Sequence, residues 1–229
     1  MDIEQLEKKI NVVFNNKDLL LQAMTHRSYL NENRGEKLGH NERLEFLGDA
    51  VLELATTDFL YRKYPNKTEG DLTAYRSALV NTQTLSETST KLNINENLLL
   101  SKGESKDTGR ARQYILADAF EAITGAIYLD QGYDAAEKFV ADNIFHLLDE
   151  IIEKGTWIDG KSMFQEKAQE HSSMTPEYKS ISEEGPDHNK QFTVGVFIGK
   201  EKVAEGKGKS KQEAEQEAAR KGLKAKGWL

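Results

Sequence analysis

Two pairs of acidic residues, far apart along the chain, have types and spacings that could do chemistry. Glu45 and Asp49 are four residues apart in a segment whose apolar residues recur every three or four positions, the period of a helix with one buried face. Asp118 and Glu121 are three residues apart and are the only charged residues in the apolar segment Ile115–Ile123. Each pair is therefore predicted to place two carboxylates side by side on one helix.

Carboxylates that gather beside apolar residues repel one another and are costly to bury. A hard cation such as Mg2+ is the natural compensation, because it prefers oxygen ligands. The pattern favours a four-carboxylate metal cage of Glu45, Asp49, Asp118 and Glu121, with Glu42 one turn earlier as a support at its edge. A solvated helix face is the alternative for any single acid, but charged residues in an otherwise apolar helix rarely serve packing alone.

The helix that carries the first pair is predicted to start from Asn41, a good N-cap residue, and to reach Tyr64, because Pro65 ends it. Its buried face is predicted to consist of four apolar residues, Leu44, Leu47, Val51 and Leu54. Residues 133–153 keep helical spacing and predict one closing amphipathic helix. Residues 1 to about 153 are therefore predicted to be almost wholly helical.

A different pattern begins near residue 160. Residues 161–170 predict a helix, three segments between residues 176 and 208 predict strands, and Ser210 is predicted to cap a long last helix. We expect a linker at residues 155–160, which separates domains 1–154 and 161–229. The predicted fold is multi-domain: an all-α domain followed by a small α+β domain with the order α-β-β-β-α.

Charge is segregated along the chain in the same way. The net charge is −7, but residues 159–229 hold 13 Lys and Arg against 12 Asp and Glu, so the remaining residues carry a net −8. The overall charge therefore does not exclude a nucleic-acid partner. The absence of cysteine excludes a disulfide framework, a thiol nucleophile and a zinc–thiolate site. With no signal peptide and no apolar run of membrane-spanning length, we expect a soluble cytoplasmic protein without a membrane partner.

The segments that carry the acidic pairs resemble those of a known family. NERLEFLGDAVL, residues 41–52, resembles the signature of the ribonuclease III family, and residues 115–130 resemble its second catalytic helix. Residues 161–229 resemble a double-stranded-RNA-binding domain over their whole length. The resemblance implies a Mg2+-dependent endoribonuclease for double-stranded RNA, with Mn2+ as a substitute metal and with Asp49 and Glu121 as catalytic residues. It also implies processing of ribosomal, messenger and transfer RNA precursors, with 5′-phosphate and 3′-hydroxyl ends and short 3′ overhangs.

The same resemblance assigns RNA contacts to the second domain. Gln165 and Glu166 would contact one minor groove and His188 the next, while the phosphates between them would be held by Lys209, Ser210 and Lys211. A solvated helix end is the alternative interpretation of these lysines. Gln212 stands where the family often has a further Lys, which would reduce RNA affinity.

Two further residues have two interpretations each. Phe46 is apolar yet lies off the main stripe, and the resemblance makes it a contact between the subunits of a homodimer, with a core position as the alternative. His26 has the chemistry of a base, although a structural role is favoured because the acids already supply a complete mechanism. For the whole chain, the alternative function is a non-catalytic regulator that binds duplex RNA, which would be expected to lack one of the four acids.

Overall fold

The computed structural model describes residues 2–33, 35, 38–157, 159–186 and 190–228. The chain divides into two compact units, Met1–Ile151 and Ile152–Leu229. Among the described residues, no helix is both long enough and apolar enough to cross a membrane.

The first unit is built from helices. In chain order they are α1 (Ile3–Ile10), α2 (Lys17–Ala23), α3 (Arg27–Glu32), α4 (Glu42–Lys63), α5 (Glu69–Leu79), α6 (Thr82–Lys91), α7 (Arg110–Gln131), α8 (Tyr133–Asn143) and α9 (Leu148–Lys154), the last of which runs into the second unit. Short 3-10 turns at Asn95–Asn97, Glu104–Lys106 and Phe145–Leu147 join some of them. The prediction of an all-α first domain is confirmed.

Helices α4 and α7 form the centre of this unit, and both are 22 residues long. Every residue of α7 from Ile115 to Ile127 is buried except Asp118 and Glu121, which are half-buried. A helix that is apolar all round belongs in a core, and its two acids then need a specific reason to be there.

The start and the buried face of α4 differ in detail from the prediction. Asn41 occupies the N-cap position, but its backbone is already helical and its side chain makes no capping hydrogen bond. Leu54 is 57% exposed, so the predicted stripe is wrong at that residue. The centre of the buried face passes through Gly48 and Ala55 instead, and Leu54 lies well to one side of that line.

The predicted closing helix over residues 133–153 is interrupted. Helix α8 ends at Asn143, and Ile144 leaves the helical conformation before the 3-10 turn and α9. Ile144 is fully buried at this bend, and the ring of Phe145 stacks on Phe59 of α4 with 4.0 Å between centroids. Tertiary packing thus overrides a helical pattern that the sequence alone would continue.

The second unit has the predicted order α-β-β-β-α. Its elements are α10 (Gly160–Ser172), β1 (Glu177–Glu184), β2 (Gln191–Ile198), β3 (Glu201–Gly208) and α11 (Lys211–Lys226). The three strands form an antiparallel sheet in the order β1-β2-β3, with Val196 paired to Tyr178 on one side and Ala204 on the other. Both helices pack on one face of it, around a core of Phe164, Val196, Ala218, Ala219 and Leu223.

Candidate active site

Helices α4 and α7 cross at two glycines. A Cβ atom built on Gly48 would lie 2.8 Å from the amide nitrogen of Gly125, and one built on Gly125 would lie 3.0 Å from the amide nitrogen of Gly48. Because neither position carries a side chain, the two backbones touch. The acids that flank this crossing on each helix therefore face one another across a short gap.

Three carboxylates converge at the crossing. Glu45 from α4 and Asp118 and Glu121 from α7 each offer one oxygen, and these three oxygens all lie within 4.8 Å of one another. All three side chains are half-buried. We call this group the carboxylate cluster. It joins residues that are more than 70 positions apart along the chain.

The fourth predicted ligand, Asp49, lies just outside this closely spaced set. It occupies the turn after Glu45 on α4 and is exposed. Its charge nevertheless reaches the cluster, because after burial it is the strongest of the charges that raise the pKa of Glu121. The structure thus places Asp49 at the solvent edge of the cluster.

Electrostatics show how unfavourable the cluster is without a cation. Burial, followed by the charges of Asp49, Asp118 and Glu45, raises the pKa of Glu121 to about 8. Burial also raises the pKa of Asp118, and burial with the neighbouring acids raises the pKa of Glu45. Half-buried carboxylates that repel one another favour either protons or a cation. Three convergent carboxylate oxygens are the donor set that a hard divalent cation prefers, so these residues fit one.

Glu42 lies at the edge of this region. Its carboxylate is 3.6 Å from the guanidinium of Arg27 and 3.7 Å from Nδ1 of His40. Its charge contributes to the raised pKa of Glu45. Glu42 therefore influences the cluster through its charge. It is not one of the three acids whose oxygens lie close together.

His26 has a structural position in the described part of the chain. Its ring Nδ1 lies 2.8 Å from the Ser28 hydroxyl and accepts a hydrogen bond from the Ser28 backbone at the start of α3. Its own backbone N–H donates to the carbonyl of Leu99, 3.0 Å away. Burial lowers the pKa of His26. These contacts favour the structural interpretation of this histidine over the catalytic one.

Two features of the site are not among those predicted from the sequence. The first is the pair Gly48 and Gly125, whose signal is that a glycine inside a helix costs about 1 kcal/mol relative to Ala and so needs a packing reason. Ser89 of α6 is fully buried and donates to the carbonyl of Leu116, 2.7 Å away, which fixes α7 two residues before Asp118. No signal in the sequence indicated that contact.

The predicted RNA-contacting residues of the second unit lie on its surface. Gln165 and Glu166 are exposed on α10. Ser210 caps α11 by accepting a hydrogen bond from the backbone of Glu213, and the flanking lysines are exposed. We call Gln165, Glu166, Lys209, Ser210 and Lys211 the RNA face. His188 lies outside the described residues.

Lys211 has partners within the unit. Its ammonium is 2.7 Å from the carboxylate of Glu183 and lies 5.7 Å from the ring centre of Phe192. The hydrogen bond from Lys211 is the main reason that the pKa of Glu183 is lowered. A phosphate that engages Lys211 therefore competes with an exposed carboxylate.

Comparisons with known proteins agree with this geometry. Residues 16–148 match the family model described as Ribonuclease-III-like. The chain belongs to the ribonuclease 3 family. Residues 161–226 match the double-stranded RNA binding motif. Members of this family are metal-dependent endoribonucleases that act on double-stranded RNA, and the carboxylate cluster of this chain is a donor set that fits a metal ion.

Curated ribonucleases 3 align with almost the full chain. The ribonuclease 3 of Geobacillus thermodenitrificans is 45% identical over 223 residues, which cover 96% of this chain and 89% of that protein. That of Borreliella burgdorferi is 44% identical over 218 residues, with 95% and 89% covered.

A solved ribonuclease III nuclease domain has the same fold as the first unit. The domain from Campylobacter jejuni, whose structure is described as showing flexibility in the region involved in dimer formation, is 39% identical. It covers 62% of this chain and 98% of its own length, with a TM-score of 0.56. The predicted family membership and fold class are both confirmed.

Proposed function

We propose that this ribonuclease 3 uses Mg2+, for which Mn2+ can substitute, to cut double-stranded RNA into products with 5′-phosphate and 3′-hydroxyl ends. The observation that carries the proposal is the approach of three carboxylate oxygens, from Glu45, Asp118 and Glu121, to within 4.8 Å of one another. A bound divalent cation would neutralise these acids, lower the pKa of a water molecule and offset charge on the leaving oxygen.

The acids of the first unit have different proposed roles, and these roles follow their burial. The cation would be held between α4 and α7 by three half-buried acids, Glu45, Asp118 and Glu121. Asp49 would complete the set of metal ligands from the side that is open to solvent. Glu121 also orients the attacking water, as its match to the second catalytic helix of the ribonuclease III family implies. Asp49 shares that catalytic work from the side open to solvent. Glu42 supports the arrangement through its charge and through its contacts with Arg27 and His40.

We assign binding of the RNA duplex to the RNA face of the second unit. A double-stranded RNA-binding domain reads the shape of the A-form helix through its minor grooves and the phosphates between them. Gln165 and Glu166 are exposed for a minor groove, and His188 is proposed for the next one. Lys209, Ser210 and Lys211 lie at the N-terminal end of α11, where lysines and helix-start N–H groups both favour a phosphate.

A homodimer would place one cluster on each RNA strand and explain short 3′ overhangs. Phe46 is 81% exposed, so its ring does not lie in the core of the subunit and is accessible to a partner. The related Campylobacter jejuni nuclease domain is described as having a region involved in dimer formation. We propose that Phe46 contacts the partner subunit of such a dimer.

The proposed substrates are duplex segments of ribosomal, messenger and transfer RNA precursors in the cytoplasm, and the proposed domains are 1–154 and 161–229 with a linker at 155–160. A labelled RNA duplex incubated with the purified protein tests the core of the proposal. Cutting is expected with Mg2+ or Mn2+, at ends that carry a 5′-phosphate, and none is expected in EDTA. Cutting that persists in EDTA, or a Glu121→Gln variant with unchanged turnover, would contradict it.

A further inference from the structure

The crossing of α4 and α7 is closer than any pair of side chains would allow. A Cβ on Gly48 would lie much less than 3.0 Å from the carbonyl oxygen of Glu121, and a Cβ on Gly125 would also lie less than 3.0 Å from the carbonyl oxygen of Leu44. Real Cβ atoms essentially never come that close to such atoms. Both obstacles are backbone, so no side-chain movement could relieve them.

Each of these contacts lies within one residue of a proposed ligand. Leu44 directly precedes Glu45, Gly48 directly precedes Asp49, and the carbonyl against Gly48 belongs to Glu121 itself. The distance between the two backbones at the crossing therefore determines how far apart the side chains on the two sides of the carboxylate cluster begin.

We propose that Gly48 and Gly125 act as positioning residues that set the width of the carboxylate cluster and so make it selective for a small divalent cation. This inference rests on the proposed function. Mg2+ takes oxygen ligands at about 2.0–2.1 Å in nearly ideal octahedral geometry, whereas Ca2+ accepts flexible geometries at about 2.3–2.6 Å. When the two helices touch, their side chains start close enough together to bring oxygens in to the shorter distance.

Close packing around α7 fixes the distance between α4 and α7 at the carboxylate cluster. Ala119, Phe120 and Ile123 are fully buried, and Ser89 binds the Leu116 carbonyl from the side of α6. Helix α7 cannot move away from α4 without losing these packing contacts. A methyl group at position 48 or 125 would therefore push α4 and α7 apart and widen the cluster.

Calorimetric titration of the full chain with Mg2+ alone and with Ca2+ alone tests the inference. Gly48→Ala and Gly125→Ala are each expected to lose about 10-fold in Mg2+ affinity, the scale of other changes that support metal ligands, and to lose much less in Ca2+ affinity. Gly70→Ala is the matched control, because Gly70 lies in α5 with its nearest neighbouring atom 3.9 Å from a Cβ. It should leave both affinities unchanged.

A fall in the preference for Mg2+ over Ca2+ separates positioning from general destabilisation. Val140→Ala removes buried atoms of α8 and should lower the melting temperature without altering that preference. Equal losses of both cations in the glycine variants, or no loss, would overturn the inference. If neither glycine variant folds, Glu45→Asp provides a second test, because its shorter side chain withdraws one carboxylate and widens the cluster. An unchanged preference for Mg2+ over Ca2+ in that variant would also overturn the inference.

The outcome is distinct from failure of the proposed function. A parent protein that binds no Mg2+, or cuts RNA in EDTA, defeats the proposed function itself. A parent that binds Mg2+ and cuts, together with glycine variants that keep the parent's cation preference, defeats only the inference about width.

Discussion

The carboxylate cluster of the first unit and the RNA face of the second unit present their functional groups in opposite ways. The cluster collects half-buried acids from two helices that are distant in sequence, and burial together with their mutual repulsion raises the pKa of Glu121 to about 8. The RNA face consists of surface residues, namely Gln165 and the acidic Glu166 in the middle of α10 and Lys209, Ser210 and Lys211 at the start of α11. The cluster therefore depends on tertiary packing, whereas the RNA face depends on local helix geometry and charge.

The largest expected difference between the two regions comes from removing one acid of the cluster, which should slow cutting and leave RNA binding unchanged. Asp118→Asn keeps the shape of the side chain but removes a charge from the buried wall of the site. We expect the single-turnover cutting rate to fall by about 10³-fold. Duplex binding, measured by fluorescence anisotropy in Ca2+, should change less than twofold because the RNA face is untouched. A comparable loss in binding would show that the two regions are not separable.

The pH dependence of stability should differ between the regions in EDTA. The pKa of Glu121 is about 8 in the fold against an ordinary value of 4.5, so its contribution to stability is full below pH 4.5 and is lost as the pH rises to about 8. We expect urea unfolding of the first unit to lose roughly 3 kcal/mol between pH 5 and pH 8.5 from this group. Added Mg2+ should reduce that loss.

Glu121→Gln provides the matched control for this titration. The neutral amide resembles the protonated acid, so the variant should be more stable than its parent at pH 8.5 in EDTA and similar at pH 5. A variant that loses as much stability as its parent over this range would show that Glu121 does not carry the effect.

The RNA face should respond to charge and salt instead. The double variant Lys209→Ala, Lys211→Ala is expected to weaken duplex binding about 10-fold at physiological salt and to lower the salt slope by about 2. The turnover rate at saturating RNA should stay the same. Lys224→Ala removes one exposed charge from the other end of α11 and serves as the control. An unchanged salt slope in the double variant would place the phosphate contacts elsewhere.

The smallest expected effect concerns the cap of α11. Ser210 accepts a hydrogen bond from the backbone of Glu213, and Ser210→Ala should cost about 1 kcal/mol of stability in the second unit. Thermal unfolding followed by circular dichroism measures this. Ser210→Asp, which keeps a capping oxygen, should recover most of the loss. Equal stability of Ser210→Ala and its parent would mean that the cap contributes nothing.

The sequence was informative where the pattern is local. The helical period around Glu45, the alternation in the three strands and the capping residue Ser210 all depend on near neighbours, and the structure has the corresponding elements. The apolar setting of Asp118 and Glu121 likewise pointed to a buried helix with two unusual charges.

What the sequence could not supply depends on contacts between distant elements. The bend at Ile144 follows from the stacking of Phe145 on Phe59, and the exposure of Leu54 follows from which side of α4 meets α7. The closeness of the crossing at Gly48 and Gly125 also belongs to the pair of helices and to neither one alone. Periodicity predicts that a face is buried, but it does not predict what lies against that face.

The most direct test of the central claim is to locate the cation itself. Crystals of the full chain grown with Mn2+ would show its position by anomalous scattering. The account predicts a peak at bonding distance from carboxylate oxygens of Glu45, Asp118 and Glu121. A well-ordered cluster without a peak, or a peak bound by other residues, would contradict it.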